Sequence, residues 1–522
     1  LASAALAPPR IINPWLIAVS VMFATFMEVL DTTVVNVSLP HIAGSLSASI
    51  DESTWVLTSY LVANAIVLPL TGWLANYFGR KRLLMIAVSG FTAASFLCGL
   101  APNLPVLVIF RIIQGMTGGA LQPLSQAVLL EAFPPQDRGK AMGFWGLGIV
   151  VAPILGPVVG GWLTDSYSWR WVFYINIPVG IISLAMTRAF IFDPPYIQRR
   201  SEERIDYWGI GMLAVGIGAL QLVLDKGQEE DWFASHWMLG FAVLAAIALL
   251  AFIVRELRAE HPVVDIRVFK VRTYATGVFL MTVMGFVLYG SLVLLPIMLQ
   301  TLLGYPSFQA GIAMAPRGIG SFIAMPVVGM LIARVGARKL LALGLVGGAG
   351  TLFWLGQLNL SAGYWDVFWP QFFQGISLGL LFVPLTTITM GPIAKENMGN
   401  ATSLFNLMRN MGGSMGIAAA TTLLYRNGQV YTSQLGAHIT AYDGPSRALL
   451  QGLRSAFAAG GSDAYTAARQ AEAAAAGLVA RQASMLAFVS VFRLLASFFV
   501  LLLPLVLLMR SPKGRVERID VH

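Results

Sequence analysis

Gly72-Trp73-Leu74-Ala75-Asn76-Tyr77-Phe78-Gly79-Arg80-Lys81-Arg82-Leu83-Leu84 returns later as Gly329-Met330-Leu331-Ile332-Ala333-Arg334-Val335-Gly336-Ala337-Arg338-Lys339-Leu340-Leu341. Each copy ends an apolar run, turns at a glycine, adds basic residues and starts another apolar run. That is the pattern of a hairpin between two membrane helices, used once in each half of a duplicated bundle. Such a duplication points to a transporter rather than to a membrane-bound enzyme.

The repeat extends outward from the hairpins. Phe110-Arg111-Ile112-Ile113-Gln114-Gly115 aligns with Pro370-Gln371-Phe372-Phe373-Gln374-Gly375, and Leu39-Pro40 with Leu295-Pro296, at nearly constant offset. A spanning helix needs about 20 mostly apolar residues. That rule predicts segments near 15–38, 55–76, 83–101, 105–130, 140–163, 171–192, 207–224, 236–254, 273–302, 307–333, 338–358, 365–391, 400–424 and 484–509. Segments 1–6 then correspond to segments 9–14, and segments 7 and 8 form an inserted hairpin. The expected fold is an all-α polytopic membrane protein with two six-helix bundles and 14 transmembrane helices. Its parts are 1–192, a linker with helices 7 and 8 over 193–272, and 273–522, which includes a long outer loop over 425–483.

Composition agrees with this class. Of 522 residues, 57% are hydrophobic and 11% charged, and the mean hydropathy is +0.72. Soluble domains carry roughly 25% charged residues. The net charge of +9 does not imply nucleic acid, because the basic residues gather at helix ends. Arg80, Lys81, Arg82, Arg138, Lys140, Arg199, Arg200, Arg204, Arg255, Arg258, Arg267, Lys270, Arg272, Arg334, Arg338, Lys339 and Lys395 fall on one side, with Arg510, Lys513, Arg515 and Arg518 in the tail. The opposite short loops hold only Arg170 and Lys226. The positive-inside rule puts the first side, with both termini, in the cytoplasm. The first apolar stretch contains Glu28 and Asp31 and is too long and too polar at its end for a cleaved signal peptide. Cys98 is the only cysteine, so no disulfide within the chain and no cysteine metal cluster is expected. No Walker A sequence, HExxH or nucleophile elbow is present, so ATP-driven transport and hydrolysis are disfavoured, and no cofactor or metal is expected.

Ionisable groups inside a spanning helix are costly and default to functional candidates. Glu28 and Asp31 lie about one helical turn apart and can face one cavity. With segment 1 leaving the membrane near Leu39 and segment 4 entering near Pro105, Asp31 and Arg111 lie roughly 12 Å and 9 Å below the outer surface. A movement that separates a carboxylate from an arginine changes its proton affinity, so Asp31, Glu28 and Arg111 are the proton-coupling candidates. Arg317, Arg409 and Arg493 count to near the midplane. They bias the interior positive, which favours weakly acidic or anionic amphiphiles over permanent cations. Glu28, Asn36, Gln114, Arg317, Gln374, Asn406 and Arg409 are the cavity candidates. Gly148, Ala152, Gly156 and Gly160 make an i+4 ladder of small residues along which another helix can approach closely, with Pro153 and Pro157 as kinks. The gating candidates are this ladder, Pro157, and Gly72, Asn76, Gly79, Arg80, Gly329, Gly336 and Arg338 of the hairpins. Ala464 to Ala480, rich in alanine, predicts a helix in the outer loop, with helices there continuing segments 13 and 14 above the membrane.

These residues resemble the major facilitator superfamily, in its 14-helix drug:proton antiporter branch. Gly72 to Arg82 resembles its motif A, Arg111 to Gly115 its motif B, Ala152 to Gly161 its antiporter motif C, and Leu30 to Pro40 the helix-1 signature of the branch. Pro69 to Ala75, Pro123 to Gln126, Leu224 to Gly227 with Asp231 to Phe233, and Pro384 to Thr389 add a resemblance to the EmrB-type multidrug exporters, over nearly the whole chain except the outer loop. The resemblance implies proton-driven efflux of hydrophobic weak acids and uncoupler-like compounds across a bacterial inner membrane. It also implies a gate at the ladder, and a tripartite assembly with a periplasmic adaptor of the EmrA type at 425–483 and an outer-membrane channel. Motif A usually carries Asp where this chain has Asn76, so a charged latch there is in doubt. A dedicated exporter of one natural product or fatty acid, a nutrient symporter and a non-transporting sensor stand as alternatives.

Overall fold

The computed structural model describes residues 13–193, 206–259, 262–439 and 443–506. Arg199, Arg200 and Arg204 of the linker, and Arg510, Lys513, Arg515 and Arg518 of the tail, lie outside the described residues. The described chain is helical throughout, without a strand.

Fourteen long helices follow in order. They are α1 Pro14–Ser45, α2 Trp55–Phe78, α3 Arg80–Leu100, α4 Leu104–Ala132, α5 Arg138–Ser166, α6 Trp171–Phe190 and α7 Tyr207–Lys226. Then come α8 His236–Arg258, α9 Arg272–Leu302, α10 Ser307–Val335, α11 Ala337–Leu355, α12 Tyr364–Met390, α13 Met398–Gly436 and α14 Ala464–Val506. Thirteen are long and apolar enough to cross a membrane among the described residues. The other is α13, whose Asn406, Arg409 and Asn410 lower its hydropathy; most of its first half is buried among other helices.

Local sequence sets the boundaries. Asn13 caps α1 by accepting from the Trp15 N–H at 3.0 Å, with Pro14 opening the helix. Asn103 does the same for α4, accepting from the Val106 N–H at 3.0 Å. Both hairpins turn at a left-handed glycine, φ 84° at Gly79 and 89° at Gly336, a conformation that a Cβ disfavours. Segment 4 is broken at Gly119 and Ala120.

α1–α6 pack together, as do α9–α14, and α7 lies against both α2 and α13. α8 packs on α7 and exposes Val243, Ile247, Leu250 and Val254, as a lipid-facing helix does. Asp206 caps α7 by accepting from the Gly209 N–H at 2.9 Å and pairs with Arg255 of α8 at 2.7 Å. The Arg255 guanidinium is the main cause that holds the Asp206 carboxyl below the usual carboxylate range. Its contribution is therefore present at neutral pH and lost as pH falls through that lowered value. Asp206→Ala removes both the cap and the pair and is expected to fray the start of α7 at a cost of about 1 kcal/mol, read as faster amide exchange at 207–210 with the rest of α7 unchanged.

Two helices run on beyond the segments read as spanning, as the continuation of segments 13 and 14 into the outer loop predicts. α13 has 39 residues and α14 has 43, so at 1.5 Å per residue they reach roughly 58 and 65 Å, about twice a 30 Å hydrocarbon core. Between them Gly444–Ala459 forms a separate helix packed on α14. Ala467, Ala471 and Ala475, one turn apart, are buried on α14. The outer loop is thus largely helical where it is described, and residues 440–442 lie outside.

Candidate functional site

Asp31 lies on α1 and Arg111 on α4, both fully buried, with Arg111 Nη1 2.6 Å from Asp31 Oδ2. Asp31 Oδ1 also accepts from Gln114 Nε2 at 2.9 Å and from Asn176 Nδ2 at 2.7 Å. Ser95 of α3 accepts from both amides, at 2.6 and 3.2 Å. Arg111 Nε donates to the Val56 carbonyl at 2.9 Å, and its guanidinium lies 4.2 Å from the Tyr60 ring centre. Five helices of the first half therefore converge on one carboxylate. Most donors and acceptors around the pair are satisfied in this way, as a buried ion pair requires, while Arg111 Nη2 and Asn176 Oδ1 have no hydrogen-bond partner among the described residues.

Glu28 faces elsewhere. Three residues on a 3.6-residue helix leave two side chains about 60° apart. Asp31 turns into the first half while Glu28 lines a cavity of about 290 Å³ between the halves. Glu28 Oε1 accepts from Asn64 Nδ2 at 3.0 Å, and Oε2 is buried without a hydrogen-bond partner among the described residues. Tyr60 lines the cavity on one side and stacks on Arg111 on the other, so its ring divides the two sites.

Arg317 and Arg409 also line the cavity. Arg409 donates to Gln122 of the first half and lies 3.3 Å from Asn410 Oδ1. Arg317 is 7% exposed, and its Nη2 is buried without a hydrogen-bond partner among the described residues. Arg493 is on the outside of the bundle, donating to the Gly356 carbonyl at 2.9 Å.

Four expected cavity residues lie away from it. Asn36 is exposed on α1. Gln114 is taken up by Asp31 and Arg111. Gln374 accepts from Gln371 Nε2 at 3.0 Å, the second-half counterpart of the Arg111 to Gln114 contact. Asn406 donates to Gln126 Oε1 at 2.5 Å across the interface between the halves. Depth along a helix does not give the direction in which each side chain turns.

The hairpins meet the opposite half at backbone distance. A Cβ on Gly72 would lie 2.7 Å from the Asn400 backbone at the start of α13, and one on Gly329 2.7 Å from the Gly139 carbonyl at the start of α5. These contacts are counterparts under the repeat. Asn76 is exposed and makes no hydrogen bond among the described residues. Arg80 instead pairs with Glu131 inside the first half, and Lys81 N donates to Asp193, which also fills the space beside Gly79. Arg338 donates to the Val506 carbonyl at 3.0 Å, and the space beside Gly336 is open.

The small-residue ladder faces α1 of its own half. Gly148 packs on Met22, Gly156 on Thr33 and Gly160 on Val34, while the buried Ala152 offers its carbonyl to Thr33. The Pro157 side chain lies outside the description. Gly139, Gly143 and Gly146 make the close contact with α10 instead, against Ile332 and Met325. Sequence reasoning missed these glycines, along with Asn176, Asn64, Tyr60 and Gln122. Amides in apolar runs are a readable signal for Asn64, Gln122 and Asn176. No cluster of His, Cys, Asp and Glu able to hold a metal occurs among the described residues.

Comparisons with known proteins bear on the whole arrangement. The multidrug export protein EmrB of Escherichia coli K12 is 35% identical over 96% of this chain and 96% of its own. EmrB of Haemophilus influenzae is 41% identical, and the fatty acid resistance protein FarB of Neisseria gonorrhoeae 42%, each over 82% of this chain and 84% of the relative. Among solved structures, the human organic anion transporter MFSD10 (TETRAN) superposes with a TM-score of 0.61 at 12% identity, covering 94% of this chain and 100% of that one. The proton:xylose symporter XylE gives 0.58 at 17%, over 94% and 96%; at these identities the likeness concerns the fold. Residues 21–417 match the family described as the Major Facilitator Superfamily, and with relatives this similar along most of its length, the chain is a multi-pass membrane protein that belongs to that superfamily.

Proposed function

We propose that the protein is a proton-driven exporter of hydrophobic, weakly acidic drugs and toxic compounds. One observation carries this reading: a cavity between the two halves holds one carboxylate, Glu28, and two arginines, Arg317 and Arg409, while Asp31 and Arg111 pair one turn behind Glu28 on the same scaffold. Cargo and proton then use neighbouring but separate sites, joined through α1 and the Tyr60 ring. Protons reach Asp31, loosen its grip on Arg111, Gln114 and Asn176, and so change how α1 sits among α4, α5 and α6. The names of the EmrB and FarB relatives support export of toxic amphiphiles. Two half-bundles rocking around the cavity would carry the cargo.

The end of the bundle with the hairpins, where most described basic residues lie, is read as cytoplasmic, with the membrane a bacterial inner membrane. The long ends of α13 and α14, with the Gly444–Ala459 helix, then stand on the outer side. They offer a surface for a periplasmic adaptor of the EmrA type and, through it, an outer-membrane channel. Deleting 437–463 is expected to abolish co-purification with such an adaptor; retained co-purification would refute docking there.

The central test is efflux from proteoliposomes with internal pH recorded. Glu28→Gln is expected to lower proton-coupled export of weak acids severalfold or more, because it removes the ionisable carboxylate that lines the cavity. Unchanged export together with unchanged proton movement would remove the reading. FarB, as a fatty acid resistance protein, favours a second reading, a dedicated fatty-acid exporter. Export restricted to fatty acids in the same vesicles would select it.

A further inference from the structure

The two halves use the same framework with their charges placed differently. In the first half, Gly115 of α4 packs on the Tyr60 carbonyl of α2; in the second, Gly375 of α12 packs on the Arg317 carbonyl of α10. Tyr60 thus stands to Arg317 as Gly72 stands to Gly329. The first half has its cation at Arg111 on α4 with the Tyr60 ring over it, and Asp31 as counter-ion. The second half has Gln371 at the Arg111 position and its cation at Arg317 instead. The Asp31 position is Val287, buried and apolar, and the Glu28 position is Met284, on the cavity wall.

Arg317 therefore occupies a repeat-related site from which the acid is missing. No ion pair reaches it among the described residues, and its Nη2 has no hydrogen-bond partner there. Tyr289 lines the same cavity. Arg409, the other cation of the cavity, is already occupied by Gln122 and Asn410. An uncompensated guanidinium in a membrane interior is costly, and Arg317 lines the cavity together with Met284, Leu288, Leu292 and Met314.

We propose that Arg317, rather than Arg409, is the residue that anchors the anionic head of the cargo, with the apolar body of the cargo along this second-half wall. This rests on the export reading for the cavity being a cargo site. The anion supplies the charge that Val287 and Met284 do not, and the guanidinium fork suits a carboxylate. A permanent cation gains nothing at Arg317, so the site selects by charge and accepts any tail that fits.

The test is binding to the purified full chain in nanodiscs of zwitterionic lipid, with three probes of one tail length: dodecanoate, dodecanol and dodecyltrimethylammonium. Wild type is expected to bind dodecanoate about tenfold more tightly than dodecanol, the worth of one charge-assisted contact. Arg317→Gln is expected to erase that difference while dodecanol binding stays put, and Arg317→Lys to keep part of it. Arg493→Gln, on the outside of the bundle, is expected to leave all three unchanged. Equal preference for dodecanoate in wild type and Arg317→Gln would overturn the proposal, as would an equal loss of dodecanol binding. Repeating the wild-type titration with phosphatidylglycerol added distinguishes the source of the anion. Undiminished dodecanoate binding assigns the site to cargo, and full displacement by the lipid would overturn that assignment. Binding is read without flux, so failure of the anchor is distinguishable from failure of export, which only the vesicle assay reports.

Discussion

Asp31→Asn is expected to cost the folded protein about 3–5 kcal/mol, because it leaves the Arg111 guanidinium buried without its counter-ion. The measurement is thermal unfolding of the purified protein in detergent, with proton-coupled efflux recorded in parallel. Arg111→Gln alone is expected to be similarly harmful, stranding Asp31 among amide donors. The second half already contains a working apolar solution at the equivalent place, with Val287 for Asp31 and Gln371 for Arg111. Asp31→Val with Arg111→Gln is therefore expected to recover most of the lost stability while export stays abolished. The two singles and the double form a cycle whose coupling energy reports the pair directly. Stability that stays low in the double would show that the pair matters for packing rather than for charge. Efflux that survives in the double would remove Asp31 from the proton path.

Gly72→Val is expected to wedge the halves apart at the hairpin end. Its Cβ would fall 2.7 Å from the Asn400 backbone, which has no flexible side-chain end to give way. Overpacking costs about 1–3 kcal/mol, and each 1.4 kcal/mol changes a two-state equilibrium tenfold. The closed arrangement should thus lose roughly 10- to 100-fold in population. Thr402 reports this well, since it donates to the Pro123 carbonyl across the same interface at 3.1 Å. A cysteine at 402, with Cys98 replaced by alanine, should react with a water-soluble maleimide many times faster once Gly72→Val is added. Gly329→Val should do the same through Gly139. Unchanged reactivity in both would mean that these crossings do not hold the hairpin end closed.

Much of this was legible from residues alone, for reasons that also mark where legibility stops. Hydropathy and length found the fourteen helices because a bilayer imposes both. The hairpins were readable because a basic turn at Gly79 or Gly336 has few alternatives. Counting residues gave Asp31 and Arg111 similar depths, and the structure has them in contact. Depth says nothing of azimuth, however. It could not tell that Glu28 looks into the cavity while Asp31 looks away, or that Gln114 belongs to the ion pair. It also could not tell that the ladder from Gly148 to Gly160 serves α1 while Gly139, Gly143 and Gly146 serve the opposite half. Those outcomes depend on which neighbour stands on each side of a helix, a property of the assembled bundle. Asn76 is a different case: its departure from the motif was visible, and among the described residues it has no hydrogen-bond partner.

The inserted hairpin is held unevenly. At the hairpin end of the bundle, Glu256 of α8 accepts from the Val264 N–H, and Asn400 of α13 clasps Asp265 through both its N–H and its carbonyl. At the other end α7 is gripped from both sides, by Thr54 and Thr58 through Lys226 and Asp225, and by Ser414 through Gln221. Among the described residues, the hydrogen bonds at the hairpin end thus reach the second half, while those at the other end reach both halves. The moving masses are expected to be six helices against eight rather than equal partners. The fulcrum then falls where α7 is held twice, off the axis inherited from the duplication.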